Sequence, residues 1–112
     1  YNSLFEDAKK YIQENFQNND ISLDVVASQV GISPSYFSTL FRQELGETFI
    51  EYLTKLRMDR AKELLMCTNR KTSEIGFSIG YKDSHYFSYI FKKTQGCTPK
   101  EYRARRKEGP GK

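Results

Sequence analysis

Residues 36–52 read YFSTLFRQELGETFIEY, and residues 86–102 read YFSYIFKKTQGCTPKEY. At a constant offset of 50 positions, eight of the 17 pairs are identical: Tyr36/Tyr86, Phe37/Phe87, Ser38/Ser88, Phe41/Phe91, Gly46/Gly96, Thr48/Thr98, Glu51/Glu101 and Tyr52/Tyr102. Unrelated segments of this length share about one, so the chain carries a duplicated unit that the fold must build twice.

Working outward, each copy follows a short apolar stretch closed by a glycine. Ser22 precedes Val25, Val26, Ala27 and Val30, then Gly31; Thr72 precedes Ile75, Phe77 and Ile79, then Gly80. Ser22 and Thr72 read as N-caps of short helices and the glycines as tight turns. Ser33-Pro34 restarts the first copy as N-cap and first helical residue, and Asp83 or Ser84 caps the second. The helices so opened, about 34–45 and 84–95, bury Phe37, Leu40 and Phe41 in one copy and Phe87, Ile90 and Phe91 in the other. Gly46 and Gly96 end them, and Thr48-x-x-Glu51 and Thr98-Pro-x-Glu101 are capping boxes that open the next helix.

The first of these boxes starts the longest helix, 49–66, a rod of about 27 Å with Phe49, Leu53, Leu56, Ala61, Leu64 and Leu65 among its apolar positions. Residues 3–17 form an amphipathic helix on Leu4, Phe5, Ala8, Tyr11, Ile12 and Phe16. A last short helix carries Tyr102 and the basic end Arg103-Ala-Arg-Arg-Lys107. The predicted fold is all-α, about seven helices: two helix-turn-helix subdomains joined by a long linker helix. The expected organisation is an N-terminal helix-turn-helix lobe at 1–47, a linker helix at 48–67, a C-terminal lobe at 68–107 and a disordered tail at 108–112.

A helix-turn-helix presents its second helix outwards, where it fits a major groove about 12 Å wide that displays a distinct pattern for each base pair. With the apolar positions turned inwards, the first copy leaves Ser35, Ser38, Thr39 and Arg42 outside, and the second leaves Ser84, His85, Ser88, Tyr89 and Lys92. Ser, Thr and His hydrogen-bond base edges, Thr39 also packs on a thymine methyl, and Arg42 and Lys92 reach bases or phosphates. Helix N-termini near Ser22, Thr48, Thr72 and Thr98 are natural phosphate anchors. A rigid rod of about 27 Å plus the helix widths matches successive major grooves about 34 Å apart. These features predict sequence-specific binding of double-stranded DNA.

Charge is uneven. Residues 1–56 hold 4 basic and 8 acidic side chains, and residues 57–112 hold 14 and 6, nets of −4 and +8. The second half suits a polyanion; the first relies on helix ends. The basic end is equally well read as a solvated helix terminus. Cys67 and Cys97 have no Cys or His at zinc-ligand spacing, so they read as reduced thiols of a cytoplasmic protein. No apolar run approaches the roughly 20 residues a membrane span needs. No cofactor or metal is predicted. The opening at Tyr1, almost inside a helical pattern, suggests the C-terminal domain of a longer protein.

Catalysis finds no support. His85, the single histidine, has no Ser, Cys or Asp at a recognisable spacing, and Glu51 and Glu101 belong to capping boxes rather than to a carboxylate pair. The many Tyr and Phe residues fall at helical spacing and read as core rather than as stacking platforms for single strands; Tyr52 and Tyr102 are counted among them. Arg57, Arg60 and Lys62 read as solvated or paired with Asp59 and Glu63, with Arg57 alternatively pinning the rod to a lobe. The rival to DNA binding is a helical protein-interaction module contacting RNA polymerase or a regulatory domain, which would show an exposed apolar patch away from the recognition helices.

The segments ASQVGISPSYFSTLF (27–41), RMDRAKELL (57–65), IGFSIGY (75–81), YFSYIFKK (86–93), Gly96 and TPKEY (98–102) resemble the DNA-binding domain of AraC/XylS-type bacterial transcription regulators. The likeness covers about residues 4–106, and the chain is similar in character to the versions fused to response-regulator receiver domains of two-component systems. It implies two helix-turn-helix lobes on promoter DNA, with base-reading positions at Ser35, Ser38, Thr39, Ser84, His85, Ser88 and Tyr89. It also implies RNA polymerase as a partner, and a missing N-terminal domain that senses the signal and provides any dimerisation. Where many members carry Trp, Gln or Arg, the first recognition helix here carries small side chains.

Overall fold

The structure, a computed structural model, describes residues 2–107; the tail expected at 108–112 lies outside the described residues. Seven α-helices follow in order: α1 (Asn2–Asn15), α2 (Leu23–Gln29), α3 (Pro34–Leu45), α4 (Phe49–Cys67), α5 (Thr72–Ser78), α6 (Ser84–Gln95) and α7 (Pro99–Ala104), with a 3-10 turn over Arg105–Lys107. All regular structure among the described residues is helical.

The helix boundaries follow from local chemistry. Ser22 Oγ accepts from the Val25 N–H at 3.2 Å, and Ser33 Oγ accepts from the Tyr36 N–H at 3.2 Å with Pro34 behind it. Both capping boxes close reciprocally: the Glu51 N–H donates to Thr48 Oγ1 at 3.1 Å and the Thr48 N–H to Glu51 Oε1 at 2.8 Å, with matching distances of 3.1 and 2.9 Å at Thr98 and Glu101. Gly46 and Gly96 end α3 and α6 in the left-handed region, at φ 73° and 86°.

The start of α5 differs from expectation. Thr72 is its first residue, and Lys71 is the N-cap. A lysine side chain has no acceptor, so only half a box forms there, the Lys71 N–H donating to Glu74 Oε1 at 3.2 Å. Asp83 caps α6, its Oδ1 accepting from the His85 N–H at 2.9 Å.

The chain divides into two compact units, with the boundary between Leu56 and Arg57, inside α4. The first unit packs α1, α2, α3 and the start of α4 around Phe37, Phe41, Ile12, Leu40 and Val26, with Phe5, Phe49 and Leu53 at its margin. The second packs the rest of α4 with α5, α6 and α7 around Phe87, Phe91, Met58, Leu65, Ile75 and Ile79. Tyr52 stands edge-on to Phe41 at 5.4 Å, and Tyr102 edge-on to Phe91 at 5.7 Å, so the duplicated tyrosines close the same aromatic pair twice.

Three apolar positions sit further out than their helical period suggested. Val25 and Phe77 are exposed, and Ile90 is only partly buried against the second core. The basic end is also not simply solvated. Arg103 and Arg106 turn back onto the end of α4: Arg103 Nε donates to the Leu65 carbonyl and its Nη2 to that of Thr68, both at 3.1 Å. Arg106 Nη1 reaches the Thr68 carbonyl at 2.6 Å, and its Nη2 donates to Asn69 Oδ1. These bonds satisfy carbonyls that a helix C-terminus otherwise leaves open and place cations at the negative end of its dipole.

Candidate nucleic-acid interface

Each unit presents one twelve-residue helix after a glycine turn, α3 after Gly31 (φ 77°) and α6 after Gly80 (φ 114°). On α3 the inward row is Phe37, Leu40 and Phe41, and Ser35, Ser38, Thr39 and Arg42 are all exposed. Thr39 Oγ1 donates to the Ser35 carbonyl at 3.2 Å, which parks the hydroxyl hydrogen and leaves the oxygen able to accept. On α6, His85, Tyr89 and Lys92 are exposed, while Ser84 and Ser88 are half-buried. The structure therefore puts four of the nine expected residues together on α3 and five on α6.

Tyr36 and Tyr86 were not singled out by sequence, yet they are 49% and 50% exposed on these same helices. The signal was available: each is the residue before an inward phenylalanine, and Tyr86 stands three positions before Tyr89, on the same helical face. Lys93 belongs with them, its Nζ 5.8 Å from the Tyr89 ring centroid.

Behind α6, Arg57 follows the alternative reading, that it pins the rod to a lobe, and not the solvated or paired one. Arg57 is only 7% exposed, so it is neither solvated nor a surface partner of Asp59 and Glu63, which pair instead with Lys62 and Arg60. Its guanidinium lies 4.8 Å from the centroid of Tyr81, in the turn that leads into α6. Burial pulls this guanidinium below its ordinary value and Tyr81 opposes the pull; a guanidinium remains charged all the same. A cation–π contact in a desolvated place is worth about 2 kcal/mol. Gly80 makes room for it, since a Cβ there would sit 2.6 Å from Arg57 Nη2.

Glu51 and Glu101 are held below the usual carboxylate range, above all by the backbone N–H groups of Thr48 and Thr98, and their hydroxyls add to the effect. Both carboxylates are thus occupied in capping. Among the described residues no group of three or more His, Cys, Asp or Glu side chains is placed to hold a metal ion, and no helix is long and apolar enough to cross a membrane. Of the exposed large apolar side chains, three are the tyrosines of α3 and α6; Val25, Ile50 and Phe77 lie one each on α2, α4 and α5.

The helix-turn-helix domain family matches residues 26–105 of this chain. The arabinose operon regulatory protein of Salmonella typhimurium is 37% identical over 102 residues, which cover 91% of this chain. The chain belongs to the AraC family. It spans 36% of the length of that regulator, and 36% of the activator RhaR of Mannheimia succiniciproducens, to which it is 38% identical over 92% of its own length. The family consists of transcription regulators rather than enzymes.

Among solved structures, this AraC-type chain resembles the C-terminal domain of AraT, a response regulator from Geobacillus stearothermophilus, at TM-score 0.90 and 44% identity over 92% of this chain and 85% of that one. It also resembles the C-terminal domain of the two-component response regulator yesN from Fusobacterium nucleatum, at TM-score 0.88 and 35% identity over 92% and 99%. The DNA-binding domain of AdpA, solved with a target DNA, shares the fold at TM-score 0.84 and 23% identity over 95% of this chain and 97% of that one.

Proposed function

We propose that this chain is the sequence-specific DNA-binding part of a bacterial transcription regulator, reading double-stranded promoter DNA with α3 and α6 in successive major grooves. The observation that carries the reading is the outward row on each helix: polar and cationic side chains exposed beside a fully buried aromatic row. Ser35, Ser38 and Thr39 on α3, and Ser84, His85, Ser88 and Tyr89 on α6, face the bases; Arg42 and Lys92 meet bases or phosphates. The N-terminus of the long helix α4, with its N–H groups near Thr48, adds an anchor for a phosphate.

The likeness to two response-regulator C-terminal domains supports a place downstream of a phosphorelay. RNA polymerase is the proposed protein partner at the promoter. Signal sensing and dimerisation are assigned to regions outside these 112 residues, which correspond to about a third of the curated relatives.

The test is selection from a randomised duplex pool followed by anisotropy titration of the enriched fragment at several salt concentrations. The expected result is binding that prefers the enriched site and weakens steeply with salt. Equal binding to enriched and scrambled duplexes would sink the reading. A footprint on the enriched fragment measures the extent: protection of two grooves is expected, and protection of one would confine the contact to a single helix.

A further inference from the structure

The aromatic residues of the second unit do not all point into its core. Tyr81, 8% exposed in the turn, lies 5.7 Å from Tyr86; Tyr86 lies 6.2 Å from Tyr89 along α6; and Lys93 Nζ sits 5.8 Å from the Tyr89 ring. At the inner end stands Arg57, 4.8 Å from Tyr81. The result is a row of three rings with a cation at each end, running from a buried arginine of α4 to a tyrosine that is 57% exposed.

We infer that Arg57, Tyr81 and Tyr86 are positioning residues that hold Tyr89 in one orientation for base reading, so that α6 discriminates bases through a pre-ordered ring. The inference rests on the DNA reading above and adds how one reading side chain is set. An exposed tyrosine ordinarily keeps rotamer freedom and loses it on binding, which weakens both affinity and discrimination. Here each ring has an aromatic or cationic neighbour on the side towards the core. Gly80 shows that the inner end is built in: its missing Cβ is the space that the Arg57 guanidinium fills. The first unit has no equivalent, since its recognition helix carries Thr39 where α6 carries Tyr89, and Ile32 stands where Tyr81 follows the turn glycine.

Two measurements on the 112-residue chain test the row. In the first, tyrosine ring resonances are followed by NMR without DNA. Tyr86→Ala and Tyr81→Leu are expected to shift the Tyr89 ring signals, and Tyr81→Phe to restore them to the parental positions. Unmoved Tyr89 signals in Tyr86→Ala overturn the inference.

In the second, the parent, Tyr86→Ala, Tyr81→Phe and Tyr89→Ala each select from a randomised duplex pool. Tyr86→Ala is expected to lose about threefold to tenfold of its discrimination at the base pairs where Tyr89→Ala loses it, a larger loss than it shows on random duplex. Tyr81→Phe keeps the parental preference. A loss spread evenly over all positions, or none, overturns the positioning role. Tyr86 is half-exposed, so its alanine variant carries both measurements even if Tyr81→Leu fails to fold. A parent that enriches no site overturns the DNA reading itself and the positioning role with it. A parent that enriches a site which Tyr86→Ala enriches equally overturns the positioning role alone.

Discussion

The two units repeat one scaffold and differ in how many aromatic side chains they carry outwards. In the first, Phe5, Phe37, Phe41, Phe49 and Tyr52 interlock inwards at 5.4 to 6.2 Å, and the outer face of α3 carries the small hydroxyls Ser35, Ser38 and Thr39 beside Tyr36 and Arg42. In the second, Phe87, Phe91 and Tyr102 keep the inner pairs, but a row from buried Tyr81 through Tyr86 to Tyr89 carries rings out to the exposed face of α6. Charge follows the same division, −4 in residues 1–56 and +8 in residues 57–112. The two copies thus share what a helix-turn-helix needs in order to fold and differ on the exposed faces of α3 and α6. A face with three small hydroxyls and one arginine on an acidic unit suits readout with less grip; a more aromatic and cationic face on a basic unit suits grip as well.

The sharpest way to separate the units is to empty one core at a time. Phe41→Ala and Phe91→Ala are each expected to cost about 3–5 kcal/mol, the usual penalty for a large aromatic truncated in a core. Hydrogen exchange should show opening concentrated in α1–α3 for the first and in α5–α7 for the second. Equal opening of both units in either variant would break the two-unit description.

The turn glycines provide the next contrast. Gly31 and Gly80 both adopt positive φ, yet a Cβ at Gly31 meets open space and one at Gly80 meets the Arg57 guanidinium at 2.6–2.9 Å. Gly31→Ala is expected to cost about 1 kcal/mol of backbone strain, and Gly80→Ala about 3 kcal/mol, strain and overpacking together. Thermal melts of the two variants check the ordering, and the reverse order would remove Arg57 from the turn. A related pair lies one helix earlier. Ala27 and Gly76 are each the fifth residue of their helix, but a Cβ at Gly76 would come 2.8 Å from the Phe87 ring, so α6 approaches α5 through a gap that α2 and α3 do not need.

DNA-binding variants compare the reading faces. Thr39→Ala and His85→Ala are expected to relax preference at particular base pairs by about 1–3 kcal/mol each, without a uniform loss. Lys92→Ala is expected to weaken binding to all duplexes and to lower the salt slope by about 1, with Arg42→Ala doing less because its unit is acidic. Anisotropy titrations across salt and single-base substitutions measure both. A larger salt effect at Arg42 would reverse the ranking of the two units.

The smallest expected effect is one that the units share. Thr48→Ala and Thr98→Ala should each cost about 1 kcal/mol, the usual worth of an N-cap. The partner carboxylates set the pH range. Glu51 and Glu101 bind protons less readily folded than unfolded, so their contribution is fully present above the ordinary glutamate range and fades as pH falls through their lowered folded values. Melting temperatures of the parent and of Glu51→Ala and Glu101→Ala should therefore converge in acid and separate towards neutrality. A difference that persists unchanged into acid would mean that the carboxylates do not cap in their charged form.

Most of the scaffold was legible because it is local. N-caps, capping boxes, glycine stops and the inward Phe-x-x-Leu/Ile-Phe rows act over three or four residues, the reach of a helical turn, and the repeat stated them twice. The same inward row, read in reverse, marked Ser35, Ser38, Thr39, Arg42, His85, Tyr89 and Lys92 as exposed, as they are. Sequence alone thus determined seven helices, two helix-turn-helix copies and the outward side chains of α3 and α6 except Ser84 and Ser88, which are half-buried.

What only the tertiary structure decided lies between residues far apart in the chain. No periodicity shows that Arg57 is buried against Tyr81, that Arg103 and Arg106 close the end of α4 across 38 residues, or that Phe77 faces outwards while Ile75 does not. A long cationic side chain on an amphipathic helix reads as solvated until its neighbours are known. Burial of a charge depends on which ring or carbonyl arrives beside it, and that is settled only when distant segments pack.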